Sequence, residues 1–335
     1  MYDIITIGSS TRDVLLQSEE FKIVKSKDSP TGQFECLPSG SKIEIKKIVF
    51  ATGGGGTNAA VTFARQGLKT ACVGVVGDDL GGREALKELE QEKVDTIFFQ
   101  KHKDGHTAYS VILVHPNAER TILSYKGEGQ NFNVNEISFD KIETKWLFLD
   151  SLGGHYSILE KSVRWAKEKG IKIATNPGGK ELDHGMEKLA PLFSEASIVI
   201  MNQEEAGKLS GIDYKKENEI FKFMDGFIKG IFVMTKGPEG VSVSDNQKIY
   251  KAGIPDSPVV ERTGAGDAWS SGFVAEYIRQ SANGELQSEI IIKAIQFATA
   301  NASSVVTQFG AKAGILKKDD WGKWPLVNVE VHSIG

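Results

Sequence analysis

Cysteine is nearly absent from this chain: Cys36 and Cys72 are the only two among 335 residues. Two thiols are too few for a disulfide framework or a zinc site. Stability must therefore come from a packed core. Proline is also scarce, with 9 residues, and no period links it to glycine, which excludes collagen and proline-rich low-complexity chains. No apolar run approaches the ~20 residues of a membrane helix. The longest, such as IVIM at 198–201, read as buried strands. A positive charge excess is missing too. The 40 Lys and Arg face 44 Asp and Glu, for a net charge of −4, whereas a nucleic-acid polymer needs concentrated cations. The start, MYDIITIGSS, has no basic segment leading into an apolar core, so no signal peptide is expected. These absences predict a cytoplasmic, reducing setting with neither a membrane nor a nucleic-acid partner.

What is abundant is glycine, 36 residues or about 11%, against a usual ~7%. The rest is ordinary for a globular chain, at 40% hydrophobic and 25% charged. Short apolar runs alternate with helical patterns. Strands are expected at 2–8, 70–77, 145–150, 171–176, 197–202 and 231–237. Helices are expected at 57–68, 83–94, 157–170, 267–280 and 288–307. Continuous apolar strands between helices argue for a parallel sheet covered on both faces. Two segments break the rhythm. Residues 14–52 alternate in FKIVK and KIEIKKIVF, and 106–126 look like a hairpin around Pro116 and Asn117. Two inserted strand pairs predict a small separate sheet; the alternative is an edge extension of the main one.

The strongest local motif is ERTGAGDAWSSGF at 261–273. Thr263-Gly264-Ala265-Gly266-Asp267 sits where a loop enters a helix. Small residues there let backbone N–H groups converge on an anion at the positive end of the helix. Asp267, in the first turn, can accept a proton from an attacking hydroxyl. The competing reading is that Asp267 only caps the helix. A second motif, Gly53-Gly54-Gly55-Gly56-Thr57-Asn58, precedes a helix. No Gly-Lys-Ser/Thr follows, so it is not a Walker loop. Nor does a clear first strand precede it, as a dinucleotide fingerprint requires. A flexible hinge is its other reading. Further polar groups follow strands: Asp13, the Asn202-x-x-Glu205 pair, and Thr235-Lys236-Gly237-Pro238-Glu239-Gly240. Parallel strands gather their C-terminal ends at one edge, where ligands bind. For Asn202 and Glu205, helix capping remains an equal reading.

Taken together these residues resemble the ribokinase-like, or PfkB, carbohydrate kinase family. The resemblance runs from Gly8 to about Gly314 and carries both signatures, GGGGTNAAVTFARQGL followed by VGVVGDDLGG, and ERTGAGDAWSSGF. It implies a three-layer α/β/α fold with a mostly parallel central sheet and a small β-sheet lid. The large domain would take 1–13, 53–95 and 127–335, and the lid 14–52 and 96–126. It implies transfer of the ATP γ-phosphate, with Mg²⁺, to a hydroxyl of a sugar or similar polyol. Asp267 matches the catalytic base, and Gly264, Ala265 and Gly266 the anion hole. Asp13, Gly54 and Asn58 match substrate-gripping positions, with Asn176 and Asp150 as bordering candidates. Asn202 and Glu205 match the motif linked to Mg²⁺ and its waters. Thr235, Gly237 and Gly240 match the loop near the nucleotide phosphates, and Asn301 a residue near adenine.

Two departures stand out. Gly55 occupies a position that is often lysine, and Glu261-Arg262 replaces a common Asp-Thr. The Asp position is associated with a monovalent cation, so a K⁺ requirement is open. The acceptor is open as well. A nucleoside would want an aromatic slot from Tyr109, Phe34 or Phe99, and a sugar phosphate would want Arg12, Arg120 or Lys103. A non-catalytic binding protein and a dinucleotide-dependent oxidoreductase are the readings from other classes. An exposed lid further predicts a homodimer formed lid to lid.

Overall fold

The structure, a computed structural model, describes all residues except Pro30, 116–118, Glu285 and Gly335. The turn expected at Pro116 and Asn117 therefore lies outside the described residues.

Among the described residues, nine strands form the central sheet, in the order Val329–Ser333, Lys248–Ala252, Val241–Ser244, Ile231–Thr235, Ile198–Asn202, Lys172–Thr175, Thr144–Leu149, Tyr2–Ile7 and Thr70–Val73. The last six are mutually parallel and the first three antiparallel. Because side chains alternate along a strand, the two faces feed separate cores. Ile5, Ile7, Leu147, Leu149, Val199, Met201, Phe232 and Met234 pack on one face against the helices Tyr156–Lys169 and Glu217–Asp225. Ile4, Phe148, Ile198, Ile200, Ile231 and Val233 pack on the other, against Phe273, Ile291 and Ile295. Those three belong to Ala265–Ser281 and Gln287–Val305. Both faces are covered, which is why these strands are apolar throughout.

The inserted segments make a separate four-stranded sheet, in the order Arg120–Tyr125, Ala108–Val114, Thr11–Gln17 and Lys47–Gly53. Its strand bounds differ from those the polar–apolar alternation suggests, starting at Thr11 rather than 14 and, in KIEIKKIVF, only at Lys47. Asp13 already lies within a lid strand. FKIVK pairs instead with Gln33–Cys36 in its own hairpin. The expected strand at 70–77 breaks at Gly74, where a side chain would strike the Phe99 ring. Residues 75–77 then leave the main sheet and pair with 100–102.

Candidate active site

The parallel strands deliver Gly8, Asp150, Asn176, Asn202 and Lys236 to one edge of the central sheet, each just past or at the end of its strand. The helices Gly55–Arg65 and Ala265–Ser281 point their N-termini at the same edge.

Each glycine of this stretch packs closely against another segment of the chain. A side chain at Gly53 would meet Asp13, one at Gly55 would meet Asp150, and one at Gly56 would meet the Gly8 backbone. Gly54 adopts φ 94° and a side chain there would overlap the Ser9 carbonyl. These glycines bring a helix N-terminus down onto the first strand and onto two carboxylates. That is closer packing than a hinge needs.

Asp267 sits in the first turn of its helix, whose N-cap, Gly264, has φ 78°. Any side chain at Gly264 would run into Ala311. Asn58 Nδ2 donates to Asp267 Oδ2 at 2.7 Å. Asp267 is half-buried, and desolvation pushes its pKa up, opposed by the Asn58 hydrogen bond and the Lys312 charge. Asp150 is buried, and its pKa stands well above the usual range, first from desolvation and then from the charge on Asp267. Asp150 Oδ1 accepts from the Ser151 N–H at 2.6 Å, while Oδ2 has no partner among the described residues. Asn58 Oδ1 is buried and likewise has no partner among the described residues. Asp13, from the lid, accepts from the Thr11 hydroxyl at 2.8 Å. Burial raises its pKa too, against the Thr11 and Ser110 hydroxyls and Lys312.

Lys312 is a residue that sequence reasoning missed. Its ammonium is buried, donates to Thr52 Oγ1 at 2.6 Å and lies 3.7 Å from Glu88 Oε2. Desolvation lowers its pKa, opposed by Glu88 and Asp13. The signal was faint: a lysine among the small residues of Gly310-Ala311-Lys312-Ala313-Gly314.

Other expected residues divide. Asn202 and Glu205 form a reciprocal cap. Glu205 N donates to Asn202 Oδ1 at 2.8 Å, and Asn202 N donates to Glu205 Oε2 at 2.9 Å. The capping reading is thus realised, although Glu205 stays near enough to Asp150 to raise its pKa. Asn176 follows its strand beside Asp150, its N–H bonded to Leu149 O at 2.8 Å. Thr235 ends a strand, and Gly237 and Gly240 flank a single 3-10 turn with φ 54° and 89°. Asn301 is fully buried, donates to Ala268 O at 2.8 Å and accepts from Leu316 N at 2.8 Å. Its amide braces the two C-terminal helices.

The pfkB family carbohydrate kinase profile matches residues 2–318. The chain belongs to this family. A ribokinase of Haemophilus influenzae is 29% identical over 285 residues, covering 82% of this chain and 88% of that one. Fructokinase-1 of rice is 24% identical, covering 81% and 87%. The ribokinase structure from Giardia lamblia superposes with a TM-score of 0.77 at 18% identity, covering 95% of this chain and 98% of its own. This pfkB chain is therefore a carbohydrate kinase with the ribokinase fold. Among the described residues, no helix is long and apolar enough to cross a membrane.

Mg²⁺ and K⁺ fit this pfkB chain differently. Mg²⁺ keeps several waters and takes few protein carboxylates beside phosphate oxygens. Glu205, with one oxygen committed to its cap and neighbouring carboxylates raising its environment's negative charge, suits an ion held through water. Glu261 does not suit K⁺. Its carboxylate accepts from the Thr263 N–H and, at 3.4 Å, from the Gly310 N–H, with Arg120 Nε 4.0 Å away.

Proposed function

We propose that this enzyme transfers the γ-phosphoryl group of ATP to a hydroxyl of a neutral, unphosphorylated sugar. The observation that carries this is the pair of unpartnered buried acceptors, Asn58 Oδ1 and Asp150 Oδ2, around Asp267. A buried acceptor left unpaired is costly, so the site calls for a ligand rich in O–H donors. Of the cations near the site, Arg120 is engaged with Glu261, Arg262 with Glu119, and Lys312 with Thr52 and Glu88, while the strand register puts Arg12 on the face opposite Asp13. That weakens the sugar-phosphate reading. Two of the three aromatic candidates for a nucleoside slot are placed away from Asp13. Phe99 is part of a core cluster, and the strand register puts Tyr109 on the face opposite Asp13.

On this reading the acceptor hydroxyls bond to Asp13, Asn58 and Asp150, with Gly54 and Asn176 lining the cleft. Asp267 takes the proton of the attacking hydroxyl. Gly264, Ala265 and Gly266 open the helix whose N-terminus stabilises the transferring group. Thr235, Gly237 and Gly240 lie along the nucleotide phosphates, and a Mg²⁺ held near Asn202 and Glu205 would neutralise phosphate charge. Positioning and charge neutralisation supply most of the catalysis in such transfers. The two cysteines are unpaired, in keeping with a cytoplasmic setting. The lid face bearing Ile48, Phe50, Leu123 and Tyr125 is the proposed seat of a homodimer.

A panel of free sugars, sugar phosphates and nucleosides, assayed for ADP release with Mg-ATP, tests the proposal. Turnover confined to free sugars is expected. A preference for phosphorylated sugars or nucleosides, or no turnover with any acceptor, would overturn it.

A further inference from the structure

Two adjacent residues of the lid and two of the loop before the catalytic helix form crossed ion pairs. Arg262 Nη1 lies 3.5 Å from Glu119 Oε1, and Arg120 Nε lies 4.0 Å from Glu261 Oε1. The two pairs differ in setting. Arg262 and Glu119 are both more than 40% exposed, where a pair contributes little and salt screens it. Glu261 is fully buried and Arg120 only 30% exposed, so that pair is screened far less. Arg120 is at the start of the edge strand Arg120–Tyr125. It pairs in register with Val114, on the lid face that carries Asp13 and packs on Phe309.

What Glu261 holds matters more than the pair itself. Its carboxylate accepts from the Thr263 N–H on one side and the Gly310 N–H on the other. It thereby ties two backbone segments together next to Gly264 and Ala311, which touch so closely that Gly264 admits no side chain. Gly264 caps the helix that carries Asp267. One carboxylate thus fixes the loop that opens this helix, and the lid supplies its counter-charge.

We infer that Arg120 is a positioning residue for phosphoryl transfer: docking of the lid brings its guanidinium to Glu261, which sets the loop 261–266 at the N-terminus of the catalytic helix. The inference rests on the phosphoryl-transfer reading above. Arg120 acts through Glu261 on backbone geometry and touches neither substrate. A rigid carboxylate clamp works only while its charge is met, because an unpaired buried carboxylate favours protonation or rearrangement.

Arg120→Met and Arg120→Lys, each compared with the parent, test it in two ways. Backbone amide hydrogen exchange at Thr263 and Gly310 should speed up in Arg120→Met and return toward the parent in Arg120→Lys. With a sugar acceptor, kcat of Arg120→Met should fall roughly 10- to 100-fold, the usual penalty for a slightly misplaced site, with KM for ATP and sugar little changed. Millimolar guanidinium should restore part of that loss. Unchanged exchange at both amides would overturn the inference. So would a raised sugar KM at unchanged kcat, which would make Arg120 a substrate ligand. A parent without kinase activity would sink the kinase reading alone, since the exchange comparison does not depend on turnover.

Discussion

Asn58 and Asp267 stand 209 residues apart in the chain, yet the Asn58 amide donates to the Asp267 carboxylate at 2.7 Å. This bond ties the helix after the glycine stretch to the helix after the TGAGD segment. It also favours the charged form of Asp267, the form a general base requires. Asp267→Asn should therefore cut kcat about 10²- to 10⁴-fold with little change in KM, the usual worth of a general base. Asn58→Leu should be milder and leave a different mark. With the donor gone, the Asp267 pKa rises further, so the acid limb of the kcat–pH profile should move to higher pH. A profile unmoved by Asn58→Leu would separate Asn58 from the base.

Lys312 should act on the same limb from another direction. Its ammonium lowers the pKa of both Asp13 and Asp267. Lys312→Met removes that help, and the acid limb should again shift upward. Stability should change little, within about 1 kcal/mol. The lost hydrogen bond is offset by relief of a desolvated charge, and Glu88, one-third exposed, can be hydrated again. Thermal melts beside pH–rate profiles check both halves.

The alternation of apolar strands with helices was legible because both faces of the central sheet are covered, so its strands read as unbroken apolar runs. The TGAGD loop was legible for a similar reason: its glycine and alanine leave room for close approach and nothing else. Strand ends in the lid were not. KIEIKKIVF alternates from Lys42, but the paired strand begins only at Lys47, because pairing there depends on a partner strand supplied from elsewhere. Lys312 was missed for one reason. A polar residue near a helix end has the same local pattern whether it faces solvent, a ligand or backbone atoms from another segment. Only the packing of residues 310–316 against the first and last helices decides.

Asp150 offers a test of opposite sign. Its pKa is raised in the folded protein, so between the ordinary aspartate value of about 4 and the raised value the folded state binds a proton that the unfolded state does not. Stability is then fully present below that window and falls as pH rises through it. Asp150→Asn removes the penalty. The variant should melt above the parent at pH 8, and its advantage should shrink toward pH 4. Activity should move the other way, since the amide replaces an unpartnered carboxylate oxygen with a donor at one of its two positions. An equal melting difference at both pH values would refute the raised pKa.

The lid supplies the last prediction. The register sets Phe50, Val14, Val111 and Leu123 in one row across the sheet, flanked by Ile48 on one side and by Tyr109 and Tyr125 on the other. Phe50, Ile48, Leu123 and Tyr125 are each more than half exposed. The outer strands, Arg120–Tyr125 and Lys47–Gly53, are also the two edges of this sheet, with unpaired backbone groups along them. A contiguous apolar face between open edges is a surface that another chain covers, and a second copy presents the same face by two-fold symmetry. Light scattering should therefore find a dimer at micromolar concentration. Phe50→Glu with Leu123→Lys should shift it to monomer while leaving the melting curve of the large core unchanged. A parent that stays monomeric at every concentration up to hundreds of micromolar would dismiss the lid as a self-association surface.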